Sequence, residues 1–303
     1  MNVHKTEKIL ILGATGMLGH KLMQVLSTRF LVTGTMRGKT PSLSNHPIFK
    51  GMNIIGDVNA TDINSIHRVV EQMRPDIVIN CIGIVKQLPE AKEPVKSIAI
   101  NALFPHQLAK ICPERKIRLI HISTDCVFSG KKGHYSENDP SDADDLYGKT
   151  KYLGEIDYPN CLTIRTSIIG RELSTSHGLV EWFLSQEGKK IDGYKKAVFS
   201  GLTTIALSEI ISQIISEYPD LQGVYQIASV PISKFDLLNL IKKTYGLSIT
   251  IEPDETVVND RSLLPDKFKN QTGLTVPSWV DMIEKMHRDS TRYDLLRNTH
   301  ANK

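Results

Sequence analysis

Tyr147 and Lys151 stand four residues apart in the segment YGKTK, and this spacing could place a phenol beside an ammonium group. Residues four apart on an α-helix share one face, with Cβ atoms about 5–6 Å apart. A phenol with a pKa of about 10 transfers protons near neutral pH only when cations stabilise its phenolate. The pair could therefore protonate a carbonyl oxygen. The alternative is a solvated helix surface with the lysine stem lying on the ring, and these five residues alone favour it.

Thr124 adds a hydroxyl group at the end of a predicted strand, in the segment HISTDCVFSG. Parallel sheets bind ligands at the carboxyl ends of their strands. A hydroxyl there can hydrogen-bond the same carbonyl and hold it for hydride transfer. By itself Thr124 could be an ordinary strand-end hydroxyl. Together, the three residue types have three separate tasks, and the combination predicts a carbonyl reductase.

The segment GATGMLG places Gly13, Gly16 and Gly19 between a predicted strand and a predicted helix. Glycines in that position let the backbone approach a pyrophosphate, whose charge the helix N-terminus stabilises. Their spacing differs from the usual dinucleotide fingerprint. The motif predicts a dinucleotide site, and a glycine-rich turn without a ligand is the alternative.

The end of the second predicted strand indicates which dinucleotide would bind. The strand end carries no acidic residue that could hydrogen-bond a ribose hydroxyl. Arg37 follows it instead, and an arginine there suits the 2′-phosphate of NADP. A surface arginine is an equal alternative. Asp57 and Val58 follow the third strand and could meet the adenine, although Asp57 could equally cap a loop. The turn Asn80 to Gly83 ends the fourth strand beside the cofactor path.

Strands and helices alternate through the first half of the chain, which predicts an α/β fold with a Rossmann-like, doubly wound parallel sheet. Asp62 is predicted to cap a helix that ends at Arg74, and residues 94–109 are predicted to be helical. The predicted strands are KILIL, FLVTGTM, a short third strand, DIVINC, RLIHIS and CLTIRTS.

After about residue 170 the alternation loosens, which predicts a smaller C-terminal α/β region for substrate binding. Helices are predicted over 179–186, 203–218 and 278–287, and Ser233 is predicted to cap KFDLLNLIKKTY with Asp236 in capping-box spacing. The predicted organisation is a cofactor domain over 1–170 and a mainly substrate-binding region over 171–288, from which some segments return to the first. A polar tail over 289–303 is expected to fray.

Composition excludes several classes of protein. Hydrophobic residues make up 40% of the 303 residues and charged residues 23%, which are values of a globular protein. The net charge of +4 comes from scattered lysines, and aromatic residues are only 6%, so no nucleic-acid partner is expected. The four cysteines are widely spaced, which predicts reduced thiols, no metal site and a cytoplasmic location. No apolar run approaches the roughly 18 residues of a membrane span.

Through GATGMLG, STDCVF and YGKTK the chain resembles the extended short-chain dehydrogenase/reductase family, and within it the dTDP-4-dehydrorhamnose reductase branch. Further segments extend this resemblance over nearly the whole chain, among them DLYGKTKYLGE, LTIRTSIIG and GVYQIASVPISKFDLL. The resemblance implies an NADPH-preferring reductase of the 4-keto group of a nucleotide-linked 6-deoxyhexose. Such an enzyme would act in surface-polysaccharide precursor synthesis, on a small nucleotide-sugar substrate, and could form a homodimer.

The resemblance also implies roles for individual residues. Thr124, Tyr147 and Lys151 would be catalytic, and Thr124 and Asp125 would touch the sugar. The cofactor would contact the segments that follow the first four strands, and the catalytic pair: Gly13, Thr15, Gly16, Met17, Leu18, Arg37, Asp57, Val58, Cys81, Ile82, Gly83, Tyr147 and Lys151.

The predicted substrate contacts include two departures from the branch. Cys126 replaces a usual tyrosine and Ile168 a usual tryptophan. Trp182 could supply an aromatic surface instead, although a tryptophan on an amphipathic helix is more often part of the core, and the core interpretation is favoured. Arg261 could pair with a substrate diphosphate, and a surface arginine is nearly as probable.

Other activities of the same family remain as alternatives. A sugar dehydratase would carry a glutamate after Asp125 as its base, and Cys126 stands there instead. A nucleotide-sugar epimerase stays open. A non-catalytic NADP-binding regulatory subunit also stays open, although Tyr147 and Lys151 are both present.

Overall fold

A parallel β-sheet forms the centre of the computed structural model, which describes residues 6–39, 47–114 and 116–293. The strands, in chain order, are β1 (Lys8–Leu12), β2 (Leu31–Thr35), β3 (Asn53–Ile55), β4 (Ile77–Asn80), β5 (Arg118–Ile122), β6 (Cys161–Arg165), β7 (Ile168–Ile169), β8 (Lys190–Tyr194), β9 (Ala197–Phe199), β10 (Leu202–Thr203), β11 (Gly223–Gln226), β12 (Ile232–Ser233), β13 (Thr250–Asp254) and β14 (Asn259–Asp260). Seven of them pair in the order β11-β6-β5-β4-β1-β2-β3, all parallel. The predicted Rossmann-like fold is confirmed.

Helices cover both faces of this sheet. They are α1 (Gly19–Leu26), α2 (Ile63–Met73), α3 (Pro94–Ser97), α4 (Phe104–Glu114), α5 (Leu146–Leu153), α6 (Leu179–Leu184), α7 (Thr204–Glu217), α8 (Lys234–Tyr245), α9 (Asp266–Thr272) and α10 (Trp279–His287). Successive strand residues point to opposite faces. Ile9 and Ile11 therefore pack in the core that includes α1 and α7, whereas Leu10 and Leu12 pack with α2 and α4.

The C-terminal half returns to the central sheet before it builds its own small sheets. β11 pairs with β6 in parallel, and α7 packs on α1. β8 then pairs with β13, and β9 pairs with β12 and β14. The division near residue 170 thus stays a prediction. Within the described ranges, no helix has both the length and the apolar character needed to cross a bilayer.

Several local predictions can be compared with these elements. Asp62 caps α2, where it accepts from the Asn64 amide, and Ser233 caps α8, where it accepts from the Asp236 amide. Both caps are as predicted. The helix predicted over 94–109 consists of α3, a π-helical stretch over 98–103 and α4. The hydrophobic pattern predicts a helix but does not reveal such a change of helical pitch.

The start of the C-terminal tail is packed, whereas fraying was expected there. Lys21 Nζ lies 2.6 Å from Asp289 Oδ2, and the side chain of Tyr293 is only 2% exposed. The expectation is therefore wrong for residues 289–293, and residues 294–303 lie outside the described residues. Composition shows that the tail is polar. It cannot show that α1 provides buried partners for residues 289–293.

A close backbone approach joins β1 to α1. A Cβ atom added at Gly19 would lie 2.1 Å from the carbonyl oxygen of Gly13 and 2.9 Å from Ala14 Cα. Both are backbone atoms, so no side-chain rotation relieves the overlap. Gly19 thereby lets the first helix start directly above the turn that follows β1.

We expect Gly19→Ala to lower the free energy of unfolding by about 1–3 kcal/mol, the cost typical of an overpacked site. Urea unfolding followed by circular dichroism measures this change. Gly38→Ala is the matched control, because a Cβ there would meet only the flexible Met36 Cε, at 3.4 Å. Equal effects of the two substitutions would contradict the close approach.

Candidate active site

Helix α5 carries Tyr147 and Lys151 to the end of β5. Asp145 caps this helix by accepting from the Gly148 amide at 2.7 Å, and its other carboxylate oxygen lies 2.6 Å from Lys86 Nζ. A Cβ at Gly148 would lie 2.1 Å from the carbonyl oxygen of Cys126. This glycine therefore lets α5 touch the backbone of the turn that follows β5.

That turn places Thr124 beside Tyr147. Thr124 precedes a short 3₁₀ turn over Asp125–Val127, and its hydroxyl accepts from the Cys126 amide at 3.1 Å. It donates to Asp125 Oδ1, also at 3.1 Å. Thr124 also acts on Tyr147, because its hydroxyl group favours a lower pKa of that phenol. The structure thus places two of the three predicted catalytic groups near each other.

Lys151 lies behind Tyr147, buried between α5 and the strand ends. Its Nζ donates to the Ile122 carbonyl at 2.7 Å, and its side chain is 5% exposed. Burial lowers the pKa of Lys151 to about 8, and the negative charge of Glu155 opposes this shift. Its ammonium group is therefore near its titration midpoint at a mildly alkaline pH, where a proton can be exchanged.

Tyr147 is a protonated phenol in this arrangement. Burial raises the pKa of Tyr147 above its ordinary value, Cys126 and Asp125 act in the same direction, and the hydrogen bond with Thr124 opposes them. The sequence analysis expected a cation to stabilise the phenolate, whereas burial raises the pKa in the ligand-free protein. The phenol therefore holds the proton that a carbonyl oxygen would receive.

A buried carboxylate that the sequence analysis missed supports Lys151. Glu155 accepts from Ser123 Oγ at 2.7 Å and from Arg165 through Nε at 2.8 Å and Nη2 at 2.7 Å. The side chains of Glu155 and Arg165 are both 6% exposed. Glu155 stands four residues after Lys151 but lies beyond the end of α5, so a shared helix face could not have revealed this interaction in the sequence.

The predicted cofactor loops meet at the ends of β1 and β4. The Cys81 amide donates to the Leu12 carbonyl at 3.0 Å, and Gly13 faces the Cys81 carbonyl and the Ile82 side chain. These two strands are neighbours at the point where the sheet order reverses, which is where such sheets bind ligands. Gly13 therefore lies beside Cys81 and Ile82, and the segments Gly13 to Leu18 and Cys81 to Gly83 stand where such sheets have their binding crevice.

The next two predicted cofactor positions lie together at the ends of β2 and β3. The Val58 amide donates to the Met36 carbonyl and the Asp57 amide to the Gly38 carbonyl, both at 3.1 Å. Arg37 and Asp57 are exposed. Asp62, not Asp57, is the residue that caps α2. Both side chains are thus accessible to a ligand along this edge.

A cationic group of side chains lies on the other side of the catalytic turn. Arg261 Nε donates to the Phe128 carbonyl at 2.8 Å. Burial raises the pKa of Asp125, and the positive charges of Arg261 and Lys234 oppose the rise. Arg261 is therefore part of the site. Lys234, which the sequence analysis missed, lies with Nζ 3.8 Å from the centroid of the Phe199 ring.

The two remaining substrate predictions have different outcomes. Burial and the Asp125 charge raise the pKa of the Cys126 thiol to about 12, so this group is neutral. Trp182 lies on α6 and is 39% exposed, so the core interpretation is wrong. A substrate contact of Trp182 stays a prediction. Ile168 lies in β7 and pairs with Leu202.

The fold and the crevice define an α/β protein of the Rossmann-like class. Within that class, the chain belongs to the RmlD substrate binding domain family, whose model matches residues 7–258. The match runs from β1 to the residue before β14. It therefore includes the glycine-rich turn, α5 and most of the C-terminal region.

The names of individual relatives differ from one another. The dTDP-4-keto-6-deoxy-D-glucose reductase of Streptomyces niveus is 29% identical over 50% of this chain and 46% of its own length. The spore coat polysaccharide biosynthesis protein SpsK of Bacillus subtilis is 28% identical over 92% and 96%. Subunit beta of methionine adenosyltransferase 2 from Bos taurus is 30% identical over 49% and 41%. The chain spans about half the length of the first curated relatives that it matches.

Solved structures share the fold. The dTDP-4-dehydrorhamnose reductase of Bacillus anthracis, crystallised with NADP, superposes with a TM-score of 0.79 at 22% identity, over 93% of this chain and 99% of that one. At this identity the likeness concerns the fold.

The buried Lys151 should make stability depend on pH. The folded protein releases this proton above about pH 8, whereas the unfolded chain keeps it until about pH 10.5. Unfolding then takes up a proton, so stability rises with pH in that window. Relative to Lys151→Met, we expect the wild-type free energy of unfolding to rise by on the order of 1 kcal/mol per pH unit.

Urea unfolding of both proteins at several pH values between 8 and 10 measures this difference. Lys149→Met, which removes an exposed lysine from the same helix, should run parallel to wild type over this range. If the difference in free energy of unfolding between wild type and Lys151→Met does not change with pH, the shifted pKa of Lys151 is contradicted.

Proposed function

We propose that this chain is an NADPH-dependent reductase of the 4-keto group of a nucleotide-linked 6-deoxyhexose. The observation that carries the proposal is the packing of α5, which holds Tyr147 and Lys151, against the turn that holds Thr124. Gly148 permits this close approach to the Cys126 carbonyl, and Lys151 is buried with Nζ 2.7 Å from the Ile122 carbonyl at the end of β5. These groups lie at the carboxyl end of a parallel sheet whose neighbouring crevice suits a dinucleotide. The activity named for the Streptomyces niveus relative supports the same reaction class.

The glycine-rich turn fits a dinucleotide on its own geometry. The amides of Met17 and Leu18 donate no hydrogen bond within the described residues, and they precede the N-terminus of α1. Free amides and a helix N-terminus together favour a phosphate group. Arg37 would pair with the 2′-phosphate, and Asp57 and Val58 would border the adenine.

Each catalytic residue has a defined task in the proposed reduction. The bound cofactor supplies a hydride to C4 of the sugar. Tyr147 donates its phenolic proton to the carbonyl oxygen, so that the carbonyl becomes an alcohol. The Thr124 hydroxyl positions that oxygen, and the Lys151 ammonium group stabilises the phenolate that remains. The negative charge of Glu155 opposes the loss of the ammonium proton that burial favours.

The substrate would lie on the far side of the catalytic turn. Asp125 would hydrogen-bond the sugar, and Arg261 would pair with the diphosphate, since a guanidinium group binds phosphate oxygens bidentately. Cys126 and Trp182 would border the sugar. The nucleotide and the substituents of the sugar are left open. A role in surface-polysaccharide precursor synthesis, a cytoplasmic location and a homodimer remain predictions.

Two alternative functions can be tested in the same experiment. A non-catalytic subunit is favoured by the likeness to methionine adenosyltransferase 2 subunit beta, and it would bind NADP without turnover. A nucleotide-sugar epimerase would retain its hydride and so consume no NADPH in net terms. The placement of Thr124, Tyr147 and Lys151 at the carboxyl end of β5 supports the reductase over the subunit.

The test is NADPH consumption with 4-keto-6-deoxyhexoses linked to dTDP, UDP or GDP, followed by absorbance. We expect turnover with one nucleotide. Tyr147→Phe should lower kcat about a hundredfold or more, the contribution of a general acid, and should leave the Kd for NADPH nearly unchanged. The phenol loses its proton in the reaction but is not needed to hold the cofactor.

Wild-type binding of NADPH without turnover on the whole panel would favour the subunit or the epimerase. Retention of most of the activity in Tyr147→Phe would remove Tyr147 from the acid role. A second acid would then have to be sought among Asp125 and Cys126.

Cofactor choice gives a separate prediction. Arg37→Ala should weaken NADPH binding about tenfold and leave NADH binding nearly unchanged, since only NADPH carries the 2′-phosphate. Fluorescence titration with both cofactors measures the two affinities. Lys39→Ala, two residues further on, is a control for general loss of positive charge. Equal weakening of both cofactors would contradict the role of Arg37.

A further inference from the structure

The end of the described chain is tied to the first helix by two buried aromatic side chains. His20 on α1 is fully buried, and Tyr293 is 2% exposed. His20 Nε2 lies 2.9 Å from the Tyr293 hydroxyl, and the two rings meet edge to face with centroids 5.7 Å apart. This contact joins residues 273 positions apart, so it is a tertiary feature.

The same histidine holds the glycine-rich turn. His20 Nδ1 lies 2.8 Å from the Gly16 carbonyl oxygen, and because a carbonyl only accepts, Nδ1 must carry the proton. The His20 amide also donates to this oxygen at 3.1 Å. Two donors from one residue thus fix the direction in which the Gly16 carbonyl points.

The direction of this carbonyl decides where the next amide points. In a trans peptide unit the C=O and N–H bonds lie in one plane and point to opposite sides. With the Gly16 carbonyl held toward His20, the Met17 N–H is directed away from it. That amide makes no hydrogen bond within the described chain, and it lies where a phosphate group would bind at the start of α1.

Tyr293 is itself held from several sides. Its single hydroxyl proton is shared between His20 Nε2, at 2.9 Å, and Asp289 Oδ2, at 3.1 Å. The same carboxylate oxygen accepts from Lys21 Nζ at 2.6 Å. The Arg171 guanidinium group is 4.9 Å from the centroid of the Tyr293 ring. Burial and the Asp289 charge raise the pKa of Tyr293, so the phenol keeps its proton. The tail, α1 and the loop after β7 therefore fix this side chain.

We propose that Tyr293 is a positioning residue for the cofactor. Through His20 it fixes the Gly16 carbonyl and thereby directs the Met17 amide at the diphosphate bridge. This inference rests on the proposed function, because the diphosphate belongs to NADPH. Docking of residues 289–293 and cofactor binding are then coupled, and by linkage each strengthens the other.

Tyr293→Phe removes the hydroxyl group and keeps the ring. We expect Kd and KM for NADPH to rise about three- to tenfold, as for one lost hydrogen bond, whereas kcat should stay within about twofold. Tyr218→Phe is the matched control. It removes another tyrosine hydroxyl, which donates to the Thr272 carbonyl, far along the chain from the glycine-rich turn. This control should leave NADPH affinity unchanged.

Hydrogen exchange of the ligand-free proteins tests the link without the cofactor. In Tyr293→Phe, the amides of residues 16–20 should exchange about three- to tenfold faster than in wild type, and in Tyr218→Phe they should not. His20→Phe also removes the Nδ1 hydrogen bond to Gly16 and should raise exchange at least as much as Tyr293→Phe. The double variant should be no worse than His20→Phe, since Tyr293 acts through His20.

The outcomes separate this inference from the proposed function. If wild type binds NADPH and Tyr293→Phe binds it equally well, the inference is overturned and the reductase proposal stands. If wild type binds no NADPH, the proposed function fails and the cofactor role of Tyr293 fails with it. Unchanged exchange at residues 16–20 would overturn the link between Tyr293 and the turn under either result.

Discussion

The burial of one ammonium group constrains much of this structure. Lys151 is 5% exposed, and burying a charge costs several kcal/mol unless other groups compensate it. The Ile122 carbonyl accepts its hydrogen bond, and the negative charge of Glu155 opposes the loss of its proton. Glu155 is buried in turn and requires Arg165 and Ser123 as partners. A series of buried polar groups thus runs from the catalytic helix into two strands of the sheet.

These groups meet because parallel strands end at the same edge of a sheet. Lys151 contacts the end of β5, and Arg165 is the last residue of β6. The predicted cofactor loops follow the neighbouring strands β1 and β4. Two glycines permit the close approaches, Gly19 against the turn after β1 and Gly148 against the turn after β5. Backbone contact at these positions leaves little freedom in how α1 and α5 face the crevice.

The C-terminal half completes the site from the opposite side. β11 returns to the central sheet beside β6, and Arg261 reaches the catalytic turn through the Phe128 carbonyl. The segment 289–293 packs on α1. His20 contacts both the Tyr293 hydroxyl and the Gly16 carbonyl, so it links the last described residue to the glycine-rich turn. The two ends of the described chain are therefore joined at the glycine-rich turn, which explains why α1 buries polar side chains such as His20 and Lys21.

The sequence by itself predicted the strands of the central sheet, the main helices and the candidate catalytic residues, but not the short strands β7 to β10, β12 and β14. Hydrophobic alternation predicted the strands, Asp62 and Ser233 marked the helix starts, and the spacing of Tyr147 and Lys151 predicted that they share a helix face. These features depend on residues close in the chain, where local periodicity and capping act. Only the tertiary structure decided which distant side chains support them. Glu155 with Arg165, Lys234 beside Asp125, the exposure of Trp182 and the contact of Tyr293 with His20 depend on how helices pack on the sheet. No local pattern encodes such packing, because the same residue types are equally compatible with a solvated surface.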